Sequence, residues 1–91
     1  MFVRIATATF KPENADELAD FMVNTICKNY KGVPGIDSTS ALIDRDGGKA
    51  VILIYGQSEE DCNQRLPHGP KADELRDVLD ISTYEVIQDR N

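Results

Sequence analysis

The sequence predicts an α+β domain of the ferredoxin-like βαββαβ type, a four-stranded antiparallel sheet with two helices on one face. Three observations predict it. Residues 2–10 alternate, with Val3, Ile5, Thr7 and Thr9 on one face and Phe2, Arg4, Ala6, Ala8 and Phe10 on the other. From Ala15 to Tyr30 apolar residues recur every three and four positions. From Ala50 to Tyr55 every residue is apolar, and a Gly-rich turn stands just before. Period two with β-branched residues indicates a strand; a spacing of three and four indicates a helix with one apolar stripe.

Each element has its own start and stop signals. Lys11-Pro12 ends the first strand. Asn14 followed by Glu17 predicts a capping box, in which each side chain satisfies a free backbone N–H of the first helix. The helical stripe is Ala15, Leu18, Ala19, Met22, Ile26 and Tyr30, widened by Phe21 and Val23. Acids at its start (Glu13, Asp16, Glu17, Asp20) and bases at its end (Lys28, Lys31) oppose the helix dipole favourably. Gly32 and Pro34 stop it. Residues 36–43 form the second strand, and Asp44-Arg45-Asp46-Gly47-Gly48 the hairpin into a third strand over 49–57. Ser58 before Glu59, Glu60 and Asp61 predicts an N-cap with acids in the first turn. The helix that follows is broken by Pro67-His68-Gly69-Pro70 and resumes over 71–79, with Leu75, Val78 and Leu79 on one side. A last strand is expected over 82–88.

Composition narrows the function classes. At 91 residues the chain has room for one domain, taken as residues 1–91. Its 16 acids against 10 bases give a net charge of −6, which disfavours broad contact with nucleic acid or anionic lipid. No apolar run reaches the ~20 residues of a membrane helix, and the first residues lack the order of a signal peptide, so a cytoplasmic protein is expected. Cys27 and Cys62 have no second Cys or His at metal-ligand spacing and read as reduced, partly buried thiols. No metal site is expected; the run Glu59-Glu60-Asp61 reads as first-turn acids, and the seven acids and three bases of residues 58–80 as a solvated helical face.

Two helices cover one face of such a sheet. The third strand is apolar to both sides, and the first offers Val3 and Ile5 to one side and Phe2 and Phe10 to the other. The uncovered face therefore needs cover, and a homodimer packed through the open sheet face is expected. The alternative is a lone domain whose open face, with Thr7, Thr9, Ser38 and Ser40, binds another protein or a ligand.

The chain resembles the dimeric α/β-barrel superfamily and, within it, the antibiotic biosynthesis monooxygenase-like group. The resemblance rests on Val3-Arg4-Ile5-Ala6 leading to Lys11-Pro12, on Pro34-Gly35-Ile36, on Leu42-Ile43-Asp44-Arg45-Asp46, on Val51-Ile52-Leu53-Ile54-Tyr55 and on Ser58-Glu59-Glu60. It implies a homodimer with a pocket between helices and sheet in each subunit. It further implies a small monooxygenase that oxidises an aromatic, quinol-type molecule without a cofactor. A haem-degrading branch carries an Asn on strand one and a Trp and a His on or after the second helix. Here Ala6 stands about where that Asn would be, the chain has no Trp, and His68 comes earlier.

Three residues are candidates for chemistry. His68, the only histidine, is the candidate base, because its unperturbed pKa lies near neutrality. Arg4 could clamp an acidic or phenolate oxygen, and Tyr55 could orient a phenolic substrate. Each also has a plainer reading: a loop histidine, an arginine paired near a sheet edge, a strand-end tyrosine. On that plainer reading the protein is a non-catalytic dimeric module of the same fold that binds a small molecule or a partner protein.

Overall fold

The computed structural model describes residues 1–89. Four antiparallel strands, β1 (Phe2–Thr9), β2 (Ile36–Asp44), β3 (Lys49–Gly56) and β4 (Asp77–Glu85), form one sheet in the order β2-β3-β1-β4. The first crossover is a continuous helix in three segments: α1 (Ala15–Phe21), a π-helical stretch (Met22–Cys27) and α2 (Lys28–Tyr30). The second is two short helices, α3 (Glu59–Cys62) and α4 (Lys71–Leu75), separated by residues 63–70. This is the expected ferredoxin-like α+β architecture.

The core lies between the first helix and one sheet face. Leu18, Met22, Ile26 and Tyr30 pack on Ala50, Ile52 and Ile54, with Phe10 and Phe21 closing one end. The register explains the choice of face. Ala8 pairs with Ala50, Ala6 with Ile52 and Arg4 with Ile54, so these residues point together toward the helices. On the other face Thr7 pairs with Val51, Ile5 with Leu53 and Val3 with Tyr55. Strand β3 therefore alternates in burial despite its uniform apolarity: Ala50, Ile52 and Ile54 are buried, Val51, Leu53 and Tyr55 only half so.

The turns behave as their residues require. The Ser58 hydroxyl accepts from the Asp61 amide at 3.0 Å and caps α3. In the β2–β3 hairpin, the Gly47 amide donates to the Asp44 carboxylate at 3.0 Å. Gly48 has φ +64, and a Cβ there would lie 2.6 Å from the Phe10 carbonyl oxygen. The Lys71 ammonium meets the Glu17 carboxylate at 2.7 Å and ties α4 to α1; that partner also raises the lysine pKa. The Cys62 thiol is fully buried, donates to the Phe2 carbonyl at 3.3 Å and faces Gly56, where a Cβ would stand 2.9 Å from the sulfur. Burial pushes this thiol pKa up. Cys27 is half-buried, and both cysteines are free.

Three expectations are corrected. The helix expected over 71–79 ends at Leu75, since Arg76 is extended (φ −155, ψ 157) and β4 starts at Asp77. Val78 and Leu79 thus belong to the last strand, which was expected only from residue 82. The Asn14 side chain makes no capping hydrogen bond, because a 3₁₀ turn over Pro12–Asn14 leads directly into α1. Val23 is 57% exposed: it lies off the buried stripe of Leu18, Met22 and Ile26. Among the described residues no helix is long and apolar enough to cross a membrane.

Candidate functional site

Between the first helix, the loop 63–70 and the sheet lies a cavity of about 480 Å³. Its floor is unusual in being made of small residues. Ala6, Ala8 and Ala50 occupy neighbouring positions on β1 and β3, beside the larger Ile52 and Ile54. Side chains of ordinary core size would fill this space; alanine leaves it open.

The π-helical stretch shapes one wall. With ~3.6 residues per turn, positions four apart drift around a regular α-helix. The wider π turn offsets that drift, so Met22, Ile26 and Tyr30 all line the cavity. The opposite wall comes from Val78 and Ile81 of β4, and the rim from Arg65, Leu66, Pro67 and His68.

Two residues at the end of the first helix hold that rim. The Tyr30 hydroxyl donates to the Gln64 carbonyl at 3.3 Å, and its ring lies 5.9 Å from that of His68 at an interplanar angle of 53°. The Asn29 side-chain amide donates to the Pro67 carbonyl at 3.4 Å and to His68 Nδ1 at 3.2 Å. With Nδ1 accepting, the neutral imidazole carries its proton on Nε2. Burial, and then the charges of Arg76 and Arg4, hold the His68 pKa below its ordinary value, so the neutral form dominates at pH 7.

His68 and Arg4, both sequence candidates, line this cavity. Tyr55 does not. Strand alternation turns Ile54 toward the helices and Tyr55 to the opposite sheet face, beside Val3 and Ser38. Arg65, Arg76 and Asn29 were not singled out from sequence, and Tyr30 was read only as part of the helical stripe. The two arginines sit inside the acidic stretch 58–80, where a lone base reads as part of a solvated face. Their signal was position: they flank the Pro-rich break at a distance of two and six residues.

Arg76 is held in place from below. Its guanidinium donates to the Ala72 carbonyl at 3.2 Å and approaches the exposed Asp73 carboxylate only to 3.8 Å. Arg4 has no ion-pair partner among the described residues. Among the described residues no Asp or Glu lines the cavity.

Comparison with solved structures bears on the fold. A candidate antibiotic biosynthesis monooxygenase from Deinococcus radiodurans superposes with a TM-score of 0.76 at 20% identity, covering 100% of this chain and 97% of that one. The protein Rv0793 from Mycobacterium tuberculosis gives 0.69 at 18% identity, over 99% and 98%. The heme degrader MhuD from the same organism, with two hemes bound in its active site, gives 0.74 at 14% identity, over 100% of both chains. This chain has their fold. The likeness runs over its whole length and agrees with the fold that the sequence resemblance implied. No protein-family model and no curated protein matches the chain.

Proposed function

We propose that the protein is a small monooxygenase-like enzyme that takes a compact aromatic, quinol-type molecule into the cavity between the first helix and the sheet. The observation that carries this reading is the alanine-floored cavity itself, apolar over most of its lining and reached by Arg4 and His68. An aromatic ring fits the apolar floor. Arg4 favours the phenolate over the phenol, and His68 donates from Nε2 to its oxygen. An electron-rich phenolate reacts with oxygen directly, so the protein need only bind, orient and exclude water.

As placed, the Asn29 amide takes the His68 Nδ1 lone pair; for Nε2 to ligate a heme iron, the proton would have to move to Nδ1 and Asn29 turn its amide oxygen to accept it.

The same hydrogen bond favours a second reading. A histidine protonated on Nε2 is a donor, so His68 serves as a base only after Asn29 releases it. A binding module without catalysis uses the site as it stands.

A homodimer completes the proposal. The open face carries Val3, Ile5, Val51, Leu53, Tyr55, Leu42 and Tyr84, and the last two are 49% and 56% exposed. The molecule measures 36 × 27 × 21 Å, so this face can supply the ~800 Å² per partner of a standard interface. Light scattering at micromolar concentration should give twice the chain mass, and Leu53→Arg should give a monomer; a monomeric native protein refutes the dimer.

The enzyme reading is tested with naphthalene-1,4-diol, by titration and by oxygen consumption. Saturable binding and oxygen uptake above the uncatalysed rate are expected, and both should vanish in Ala6→Leu, which fills the floor. Binding without oxygen uptake selects the module; absence of binding overturns the quinol reading.

A further inference from the structure

The chain as a whole is acidic, with 16 Asp and Glu against 10 Lys and Arg. Its cavity is the reverse. Arg4, Arg65 and Arg76 reach it from three separate segments: the first strand, the rim loop and the residue before the last strand. Among the described residues His68 is the remaining ionisable group lining the cavity apart from the Tyr30 phenol, and no carboxylate lines it. Three ion pairs occur among the described residues, Arg45 with Asp16, Lys71 with Glu17 and Arg76 with Asp73. Arg4 and Arg65 have no ion pair among the described residues. The Arg76 side chain is only 18% exposed, yet its nearest carboxylate is the outward-facing Asp73 at 3.8 Å. A half-buried cation with no close counter-ion is costly unless something else supplies the charge.

From this juxtaposition we infer that the ligand of the cavity is an amphiphilic anion. It has an apolar ring system for the alanine floor and a fixed oxyanion, carboxylate or phosphate, that meets Arg4, Arg65 and Arg76 at the rim. The inference rests on the cavity being a ligand site, and it adds a charge that a neutral quinol lacks. Guanidinium groups suit such an oxyanion because each presents parallel N–H donors in one plane. The neutral His68 ring, fixed by Asn29, adds an Nε2 donor and no carboxylate-like repulsion.

The test compares three probes of one shape: naphthalene-2-carboxylate, 2-naphthyl phosphate and the neutral naphthalene-2-carboxamide, titrated by calorimetry at two salt concentrations. At least one anion should bind about tenfold tighter than the carboxamide, with the advantage shrinking at high salt. Arg76→Gln and Arg4→Gln should each erase most of that advantage while carboxamide affinity falls far less, which also shows that the cavity is intact. The better of the two anions identifies the oxyanion. Equal affinity for all three probes overturns the inference and leaves the cavity reading standing. Failure of all three to bind overturns both.

Discussion

The two crossovers do the same topological job and are built in opposite ways. The first runs as one helix from Ala15 to Tyr30 and sends Leu18, Phe21, Met22, Ile26 and Tyr30 into the core. The second is broken into helices of four and five residues around a Pro-flanked loop, and of its helical residues only Cys62, Ala72 and Leu75 are buried. The difference teaches where room for chemistry comes from. A helix laid along the sheet closes the space beneath it; a helix interrupted at 63–70 leaves that space open and hangs His68 and Arg65 at its edge. Such a loop belongs to the less stable part of the molecule, held by a few hydrogen bonds rather than by packing.

The largest expected effect separates the two crossovers by packing. Leu18→Ala, at a fully buried site in the first, should cost about 2–5 kcal/mol in urea denaturation. Leu66→Ala, at a half-buried site on the cavity wall, should cost about 1 kcal/mol, because the space beside it is already open. Similar losses would erase the distinction. Next comes the link between them. Tyr30→Phe removes the hydrogen bond to the Gln64 carbonyl and should cost about 1 kcal/mol. Amide exchange should quicken in 63–70 and stay unchanged in Ala15–Phe21; equal quickening in both would show the crossovers to be one cooperative unit.

The smallest effect concerns pH. Folding holds the His68 pKa below its ordinary value, chiefly by burial and then through Arg76 and Arg4. As pH falls through about 6.5 the unfolded chain takes up the proton first, so stability is full above that pH and declines below it. In His68→Gln this part of the pH profile should flatten; an identical profile would place His68 in bulk solvent.

The fold was legible because its signals are local. Alternation fixed β1, the Ser58 cap fixed the start of α3, and Asp44 to Gly48 fixed the hairpin. The fourth strand was misplaced for a physical reason. Leu75, Val78 and Leu79 are spaced as on a helix, and the register shift opposite Thr7 and Ala8 breaks the alternation that would have marked Asp77–Glu85 as a strand. The site was legible only in part. Arg4 stood out as a charge in an alternating strand and His68 as the sole histidine. Arg65 and Arg76 owe their place to tertiary structure, which brings both ends of the broken crossover over β1 and β4. Asn29 owes its role to a contact 39 residues away in sequence.

The thiol beneath α3 turns this architecture into a clock. Cys62 is sealed against the Phe2 carbonyl and Gly56, and its raised pKa keeps it as the unreactive thiol, whereas Cys27 is half-buried. An alkylating reagent should consume Cys27 first and then wait for α3 to lift. The second labelling rate would count how often the broken crossover breathes, and a tight occupant of the cavity, by bracing the rim, should slow the count.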